Sequence, residues 1–204
     1  NLSHREASAS ERAFLDANGR VSAAATMRAM ARTHDGRSAL VEIKAVDDAY
    51  PLFGTVVLEP ALALRAALAP AGGTFGAAVD PALLARLDLA PGARVTIGAA
   101  TVELRAVLRS EPDKLAGGIG FGPRLLMSEA ALRASGLLQP GSVVRWHHRL
   151  RLPGNDATDA VDAQAFHDRR CAFPGGLWLR RQVPLDGRRC RSEGSRCREG
   201  RCFC

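Results

Sequence analysis

Apolar and polar residues alternate with two different periods along the first 150 residues, which predicts strands mixed with short helices. Residues 38–46 (SALVEIKAV) alternate at every second position, a pattern typical of a half-buried strand. The turn sequence THDGR separates this run from residues 21–32. We therefore predict a β-hairpin around Asp35 and Gly36, although the alanine content of residues 21–32 leaves a partly helical structure open.

Capping signals predict four short helices. Ser8 or Ser10 is placed to cap the first helix, Asp80 the third and Ser128 the fourth. Gly19 suits a left-handed stop after the first helix. The predicted helices cover residues 10–18, 60–69, 81–89 and 129–134.

Short apolar runs between these helices predict the remaining strands. They cover residues 54–58, 75–79, 93–97, 101–108, 124–127 and 142–152. The third and fourth of them form a second hairpin, and its apolar residues fall on one side: Val95, Ile97, Val102, Leu104 and Ala106. Strand–helix–strand units combined with hairpins indicate an α+β fold with a mixed β-sheet, and we expect two subdomains.

Two segments of the chain look alike. Residues 80–92 (DPALL…PG) and 128–141 (SEAAL…PG) each follow a strand with a capped short helix, a Leu-rich end and a Pro-Gly turn. This similarity indicates either a weak internal repeat or only the usual start and stop signals of short helices.

Composition divides the chain into a body of residues 1–165 and an atypical Arg- and Cys-rich tail of residues 166–204. Residues 1–167 hold 18 basic against 17 acidic side chains, whereas residues 168–204 hold 10 arginines against four acids. The charge balance of the body predicts no basic face for nucleic acid. All five cysteines lie after residue 170, which suits an oxidising compartment for the body.

The chain ends add two expectations. No run of 18 apolar residues exists, so we expect no membrane-spanning segment within these residues. The start is polar and lacks an initiator Met, so the chain reads as an excised or incomplete piece of a longer protein. The tail spacing Cys190-x6-Cys197-x4-Cys202-x-Cys204 lacks the paired ligands of common zinc sites. We expect the tail to be disordered or the product of a frameshift.

Candidate chemistry in the body is sparse. Gly118, Gly120 and Gly122 lack the preceding strand and following helix of a phosphate-binding loop. His147 and His148 point to opposite faces of a strand, so they do not share a metal, and we expect one buried and one exposed ring. We interpret Ser128 as a helix cap, and Asp47 and Asp48 as solvated turn acids. We predict no catalytic, metal or cofactor-binding residue.

Five runs of the sequence resemble the extracytoplasmic domain of FtsX-like ABC-transporter permeases with a MacB-like periplasmic core, most of all the YbbP-type permeases. The runs cover residues 14–33, 40–54, 79–98, 110–132 and 136–154, in the family's order. The least generic is SEPDKLAGGIGFGPR, residues 110–124. The resemblance covers about residues 1–160.

The resemblance implies a non-catalytic domain on the periplasmic side of the bacterial inner membrane. It would couple the ATPase cycle of a separate subunit, where ATP is bound, to export or release of a substrate, or to an outer partner. Implied partners are that ABC ATPase, a second permease copy and the membrane through flanking helices, with no nucleic acid. The alternative is a free-standing soluble α/β ligand-binding domain or enzyme.

One loop is the candidate contact site for a partner or a second subunit. It is Gly-rich, has almost no catalytic residue types and links two predicted strands. The candidate residues are Pro112, Asp113, Lys114, Gly117, Gly118, Gly120, Phe121, Gly122 and Pro123.

Overall fold

The computed structural model describes residues 2–3, 5–112, 122–151, 197–198 and 201–202. The chain divides into two compact units, Asn1–Asn155 and Asp156–Cys204. Residues Asn1–Asn155, called the body below, form a single unit rather than the two predicted subdomains. The predicted boundary at residue 165 lies outside the described residues and stays a prediction, as does the disordered or frameshifted tail.

The described part of the body contains nine strands and four helices. The strands are Leu2–Ser3 (β1), Arg20–Arg32 (β2), Ser38–Val46 (β3), Val57–Glu59 (β4), Phe75–Val79 (β5), Arg94–Ile97 (β6), Ala100–Ser110 (β7), Arg124–Ser128 (β8) and Arg145–Arg151 (β9). The helices are Ala9–Asn18 (α1), Leu64–Leu68 (α2), Pro81–Leu87 (α3) and Glu129–Ala134 (α4). In the second unit, Cys197–Arg198 (β10) pairs antiparallel with Arg201–Cys202 (β11).

All nine strands of the body belong to one mixed sheet with the order β1-β9-β2-β3-β8-β5-β7-β4. Strand β6 pairs with both β2 and β7, which closes β2, β3, β8, β5, β7 and β6 into a ring. The pairs β3–β8 and β5–β7 are parallel, and the other pairs are antiparallel. The predicted α+β fold with a mixed sheet is confirmed.

The ring has an internal two-fold relationship. The two halves correspond element by element: β2 to β6, β3 to β7, β5 to β8 and α3 to α4. When these elements are exchanged, the parallel pair β3–β8 becomes the parallel pair β7–β5. The antiparallel pairs β5–β8 and β2–β6 map onto themselves. The Pro-Gly turns match too, since Gly92 and Gly141 have φ angles of 90° and 87°. The two similar segments thus contain the helices α3 and α4, which are exchanged by this relationship.

The inner face of the ring forms the main core. It is built from alternate residues of each strand, such as Val41, Ile43, Val102 and Leu125, which are fully buried. Helices α3 and α4 add Leu83, Leu87, Ala131 and Leu132 to the same cluster. Each large aliphatic side chain buried there contributes roughly 1.5–3 kcal/mol relative to exposure.

A second, smaller apolar cluster lies on the outer face. It contains Ala24, Val46, Tyr50, Leu58, Ala67, Leu68, Ala78, Ala106, Leu108 and Leu126. Ala106 lies in this cluster, not on the side of Val102 as predicted, because a register shift between Leu104 and Ala106 reverses the alternation in β7.

Helix starts follow the predicted caps. Ser8 forms a capping box with Glu11, Asp80 accepts from the Ala82 N–H, and Ser128 accepts from the Ala131 N–H. Gly19 has φ 155° and ψ −170°, so it ends α1 in a conformation open to glycine but not in the predicted left-handed helical one.

Element bounds differ from the sequence prediction by three or more residues in three places. Helix α2 begins at Leu64 instead of residue 60, β4 covers Val57–Glu59 instead of 54–58, and β9 begins at Arg145 instead of residue 142. Residues 21–32 form a strand rather than a helix because they pair with β3 on one side and β9 on the other. Among the described residues, none of the helices is both long and apolar enough to span a bilayer.

Candidate functional site

The structure describes only the two ends of the predicted contact loop. Pro112, Gly122 and Pro123 are described. The other six candidates lie outside the described residues: Asp113, Lys114, Gly117, Gly118, Gly120 and Phe121. The loop leaves the sheet after β7 and returns to it at β8.

Both ends of the loop make close contacts with the rest of the body. Pro112 packs on Gly54 so closely that a Cβ atom on Gly54 would lie 2.6 Å from the Pro112 Cβ. Gly54 also has φ 72°, which disfavours other residues. At the second end, the Glu42 N–H donates to the carbonyl of Pro123 at 3.0 Å. The loop is thus fixed at both ends by contacts with residues that are far away in the sequence, Gly54 and Glu42.

A buried group of charges lies beneath these two ends, and we call it the loop-base cluster: Glu42, Lys44, Tyr50, Glu111 and Arg124. Lys44 Nζ lies 3.1 Å from Glu111 Oε2 and donates to the Tyr50 hydroxyl at 2.9 Å. The same ammonium lies 4.6 Å from the centroid of the Tyr50 ring. The side chains of Lys44 and Glu111 are only 5% and 1% exposed, so this ion pair is almost fully removed from water.

Arg124 completes the cluster from the returning end of the loop. Its Nε donates to Glu111 Oε1 at 3.0 Å, and its Nη1 lies 3.0 Å from Glu42 Oε1. The second approach is an ion pair without hydrogen-bond alignment, which leaves Nη1 as a buried donor lacking a hydrogen-bond acceptor in the structure. Two cations and two carboxylates balance, as buried charges require. Glu111 therefore joins both ends of the loop to β3.

This cluster was not predicted from the sequence. Lys44 and Glu111 are 67 residues apart, and no local pattern connects them. One signal was available, because Lys44 stands among apolar residues in the alternating run of β3. A lysine in such a position needs a buried anionic or hydroxyl partner.

Six arginines share the outer face of β2 and β9, and we call this surface the arginine face: Arg20, Arg28, Arg32, Arg145, Arg149 and Arg151. The three arginines of β2 are at even positions and the three of β9 are at odd positions. The register pairs Arg20 with Arg151, Ser22 with Arg149, and Thr26 with Arg145. Side chains alternate between the faces of a strand, so all six point outward.

The arginine face contradicts the prediction that the body has no basic face. The net charge of the body is near neutral, but the pleat collects arginines on one side of two adjacent strands. Five of the six are exposed, and Arg149 is half-buried. The expectation that nucleic acid is not a partner rested on that premise and stays a prediction.

The two adjacent histidines do point to opposite faces. His148 lies on the inner face beside Trp146, with ring centroids 6.5 Å apart, and His147 lies on the arginine face near the Thr26 hydroxyl. Both rings are half-buried, which corrects the expected pair of one buried and one exposed ring. Burial, reinforced by nearby positive charge including Arg149, lowers the pKa of His147 to about 4. Burial also lowers the pKa of His148.

Asp47 has a structural role, which corrects its interpretation as a solvated turn acid. Its carboxylate accepts from the Ser22 hydroxyl at 2.9 Å, from the Ala23 N–H at 2.6 Å and from the Ala49 N–H at 3.1 Å. These contacts tie the end of β3 to β2. Asp48 is exposed, as predicted.

A small polar cleft of about 120 Å³ lies near α1. Its lining includes Glu6, Arg12, Glu129, Trp146 and His148. Within the described residues, no three His, Cys, Asp or Glu side chains lie close enough to hold a metal ion. The Ser128 hydroxyl caps α4, accepting from the Ala131 N–H at 3.2 Å.

Over 117 residues, or 57% of its length, the chain is 35% identical to the uncharacterized ABC transporter permease YbbP of Escherichia coli strain K12. The chain is similar to a segment of an ABC-transporter permease. The resemblance predicted from the sequence is thereby confirmed. The matched segment is 13% of that permease, so the chain corresponds to a small part of its relative. No family model matches the chain.

Three solved structures of transporter or permease domains show a partial similarity to the chain, each with a TM-score below 0.5. The extracellular domain of the noncanonic ABC-type transporter YknZ from Gram-positive bacteria has a TM-score of 0.47 at 14% identity, covering 78% of this chain and 80% of that one. The periplasmic region of MacB from Actinobacillus actinomycetemcomitans has a TM-score of 0.49 at 9% identity, covering 78% and 71%. A domain of a putative permease from Porphyromonas gingivalis has a TM-score of 0.44 at 12% identity, covering 75% and 70%.

Proposed function

We propose that this chain is the extracytoplasmic domain of a bacterial ABC-transporter permease, on the periplasmic side of the inner membrane. The observation that carries the proposal is the 35% identity to the YbbP permease over 117 residues. The domain is non-catalytic. It couples the ATPase cycle of a separate subunit to export or release of a substrate, or to an outer partner.

The construction of the body supports a coupling role. Six of its strands form one closed ring around a buried core, and close-packed interiors transmit strain instead of absorbing it. The loop at residues 112–123 is tied to β3 through Glu111 and Arg124. A force on the loop therefore reaches the ring through the loop-base cluster.

The placement of the domain is tested with the complete gene. A fusion of alkaline phosphatase directly after the body, in the full permease, is expected to be active because this enzyme matures only outside the cytoplasm. The same reporter fused to the ATPase subunit is the inactive control. An inactive fusion in the permease, or a gene without apolar segments of about 20 residues around the body, would favour the free-standing soluble domain.

The contact role of the loop is tested in the intact permease with its ATPase. A Gly/Ser linker of equal length replaces residues 113–121, and the ATPase activity of the reconstituted complex is compared with that of the ATPase alone. We expect the stimulation by the permease to be lost. Replacement of the exposed residues 60–63 is the matched control. Unchanged stimulation in the loop variant would rule out the contact role.

A further inference from the structure

Four of the six arginines give the arginine face an excess of positive charge among the described residues. Arg20, Arg32, Arg145 and Arg151 form no ion pair with any other described residue. Glu42 lies opposite Arg28 on β3, and both Glu42 and Asp47 also have partners other than the arginines of this face. Glu42 pairs with Arg124, and Asp47 accepts from Ser22 and Ala23.

Exposed apolar side chains accompany the arginines. Met30 and Leu40 are direct partners across β2 and β3, on the same face as the arginines, and each is 40% exposed. At the other end of the face, the Arg151 guanidinium lies 5.7 Å from the centroid of the Phe53 ring, and Phe53 is 46% exposed. The face therefore presents both cations and apolar groups to its surroundings.

The arginines are spread along the strand rather than gathered around one point. Arg20 and Arg32 are the ends of β2, and twelve residues of strand extend over about 40 Å. A small soluble anion is held by donors that converge on it, which this spacing does not provide. The spacing suits an extended anionic surface that is contacted at several points.

We propose that the arginine face docks onto the anionic headgroups of a phospholipid membrane. The guanidinium groups contact lipid phosphates, and Phe53, Met30 and Leu40 enter the interfacial layer. A surface that combines Arg with Phe, Leu or Met is the composition of membrane-surface segments. Single-stranded nucleic acid is bound by rows of stacked aromatic rings, and Phe53 is the only exposed aromatic ring in the described part of this face. The inference does not depend on the proposed permease function.

The test uses the full 204-residue chain in vesicle flotation. Vesicles of phosphatidylcholine alone are compared with vesicles that also contain phosphatidylglycerol. The face variant is Arg20→Gln with Arg145→Gln and Arg151→Gln. The matched control has the same change in charge at three exposed arginines elsewhere: Arg86→Gln, Arg109→Gln and Arg133→Gln. Both variants keep the basic tail, and thermal unfolding checks that both are folded.

We expect the chain to float with phosphatidylglycerol-containing vesicles and not with phosphatidylcholine alone. One basic residue near an anionic leaflet changes partitioning about fivefold, so the face variant is expected to lose on the order of 100-fold. The control variant is expected to lose much less. A third variant, with Lys at the same three face positions, keeps the charge and should still float, which separates charge from misfolding.

Three results would overturn the proposal. Equal losses in the face and control variants would show binding through net charge alone. Flotation that neither variant reduces, or no flotation at all, would show that the face does not meet lipid. Loss of binding to polyglutamate or to oligonucleotides by the face variant, with vesicle binding unchanged, would assign the face to an acidic protein or to nucleic acid instead.

Discussion

The inner and outer faces of the body are built from the same strands, yet they differ in chemistry almost completely. The inner face packs aliphatic side chains such as Val41, Ile43 and Leu125 around one core. The outer face carries the loop-base cluster, the arginine face and a small apolar cluster. Neighbouring residues of one strand, such as Ile43 and Lys44, therefore have opposite environments.

This difference shows how little the overall charge of a domain says about its surface. A shift of one residue in the register of β2 would turn its arginines into the core and its alanines into solvent. The buried alternate positions of β2, Ala23, Ala25 and Ala31, fix the register. The core of the inner face thus determines where the charges of the outer face are displayed.

The largest expected effect compares the two faces within β3. Ile43→Ala removes a fully buried side chain from the inner core, and we expect a loss of about 2–5 kcal/mol in the free energy of unfolding. Leu40→Ala, at a position 40% exposed on the outer face, is expected to cost less than about 1 kcal/mol. Urea unfolding followed by circular dichroism measures both, and similar losses would contradict the assignment of the faces.

The second largest expected effect concerns the buried loop-base cluster of the outer face. Glu111→Gln leaves Lys44 and Arg124 buried without their shared carboxylate, so we expect a loss of about 3 kcal/mol. The control is Glu59→Gln, because Glu59 pairs with Arg109 at an exposed site, and such pairs contribute about 0–1 kcal/mol.

A double-mutant cycle isolates the pair itself. Lys44→Met combined with Glu111→Gln should cost less than the sum of the two single variants, because the double variant leaves no unpaired ammonium. Additive losses would mean that the two side chains do not interact.

A smaller effect depends on pH and on His147. Its pKa is about 4 in the folded state, against 6.5 for an unperturbed histidine, so the unfolded chain binds a proton first as the pH falls. Stability is therefore lost between pH 6.5 and 4. Allowing for partial exposure, we expect a loss of about 1–2 kcal/mol that His147→Gln abolishes.

Glu11→Gln is the control for this pH dependence. Hydrogen bonding to Arg5 lowers the pKa of Glu11 to about 2 from 4.5, so its contribution is present above pH 4.5 and is lost as the pH falls towards 2. The free energy of unfolding, measured by chemical unfolding between pH 6.5 and 5, should thus change with pH in the Glu11 variant as it does in the unmodified chain. If the His147 variant showed the same pH dependence of the free energy of unfolding as the unmodified chain, another group would be responsible.

The smallest effect concerns like charges on the arginine face. Arg20 and Arg151 lie directly opposite each other on β2 and β9, and like charges in this position are destabilising. Arg20→Gln is therefore expected to stabilise the chain by about 0.2–1 kcal/mol at low salt, and by less at high salt. Arg86→Gln, on α3, should show no gain. Destabilisation by Arg20→Gln at every salt concentration would contradict the repulsion.

Local signals were sufficient for most elements of the fold. The caps at Asp80 and Ser128 depend on a few neighbouring residues, and so does the hairpin turn at 33–37. The helix start at Leu64 was misplaced because Pro60 is a good first helical residue by itself, and only packing against β5 and β7 selects the observed segment.

The candidate site was predicted only in outline. The ends of the loop follow from its sequence, whereas the loop-base cluster depends on tertiary contacts between β3 and residues 67 positions away. The arginine face needed the register between β2 and β9, which spans more than 100 residues and is set by the core. Composition averages over such distances and cannot reveal either feature.

The attachment of both loop ends to the same buried carboxylate makes the segment between them exchangeable. The ion pair between Glu111 and Arg124 joins the two ends of this segment directly, and closing a longer segment costs little additional entropy. Loops from other permeases, or a fluorescent or affinity tag, are thus expected to be grafted between these two residues while the rest of the domain folds as before. The ring would then act as a scaffold, and the inserted peptide would determine what the domain binds.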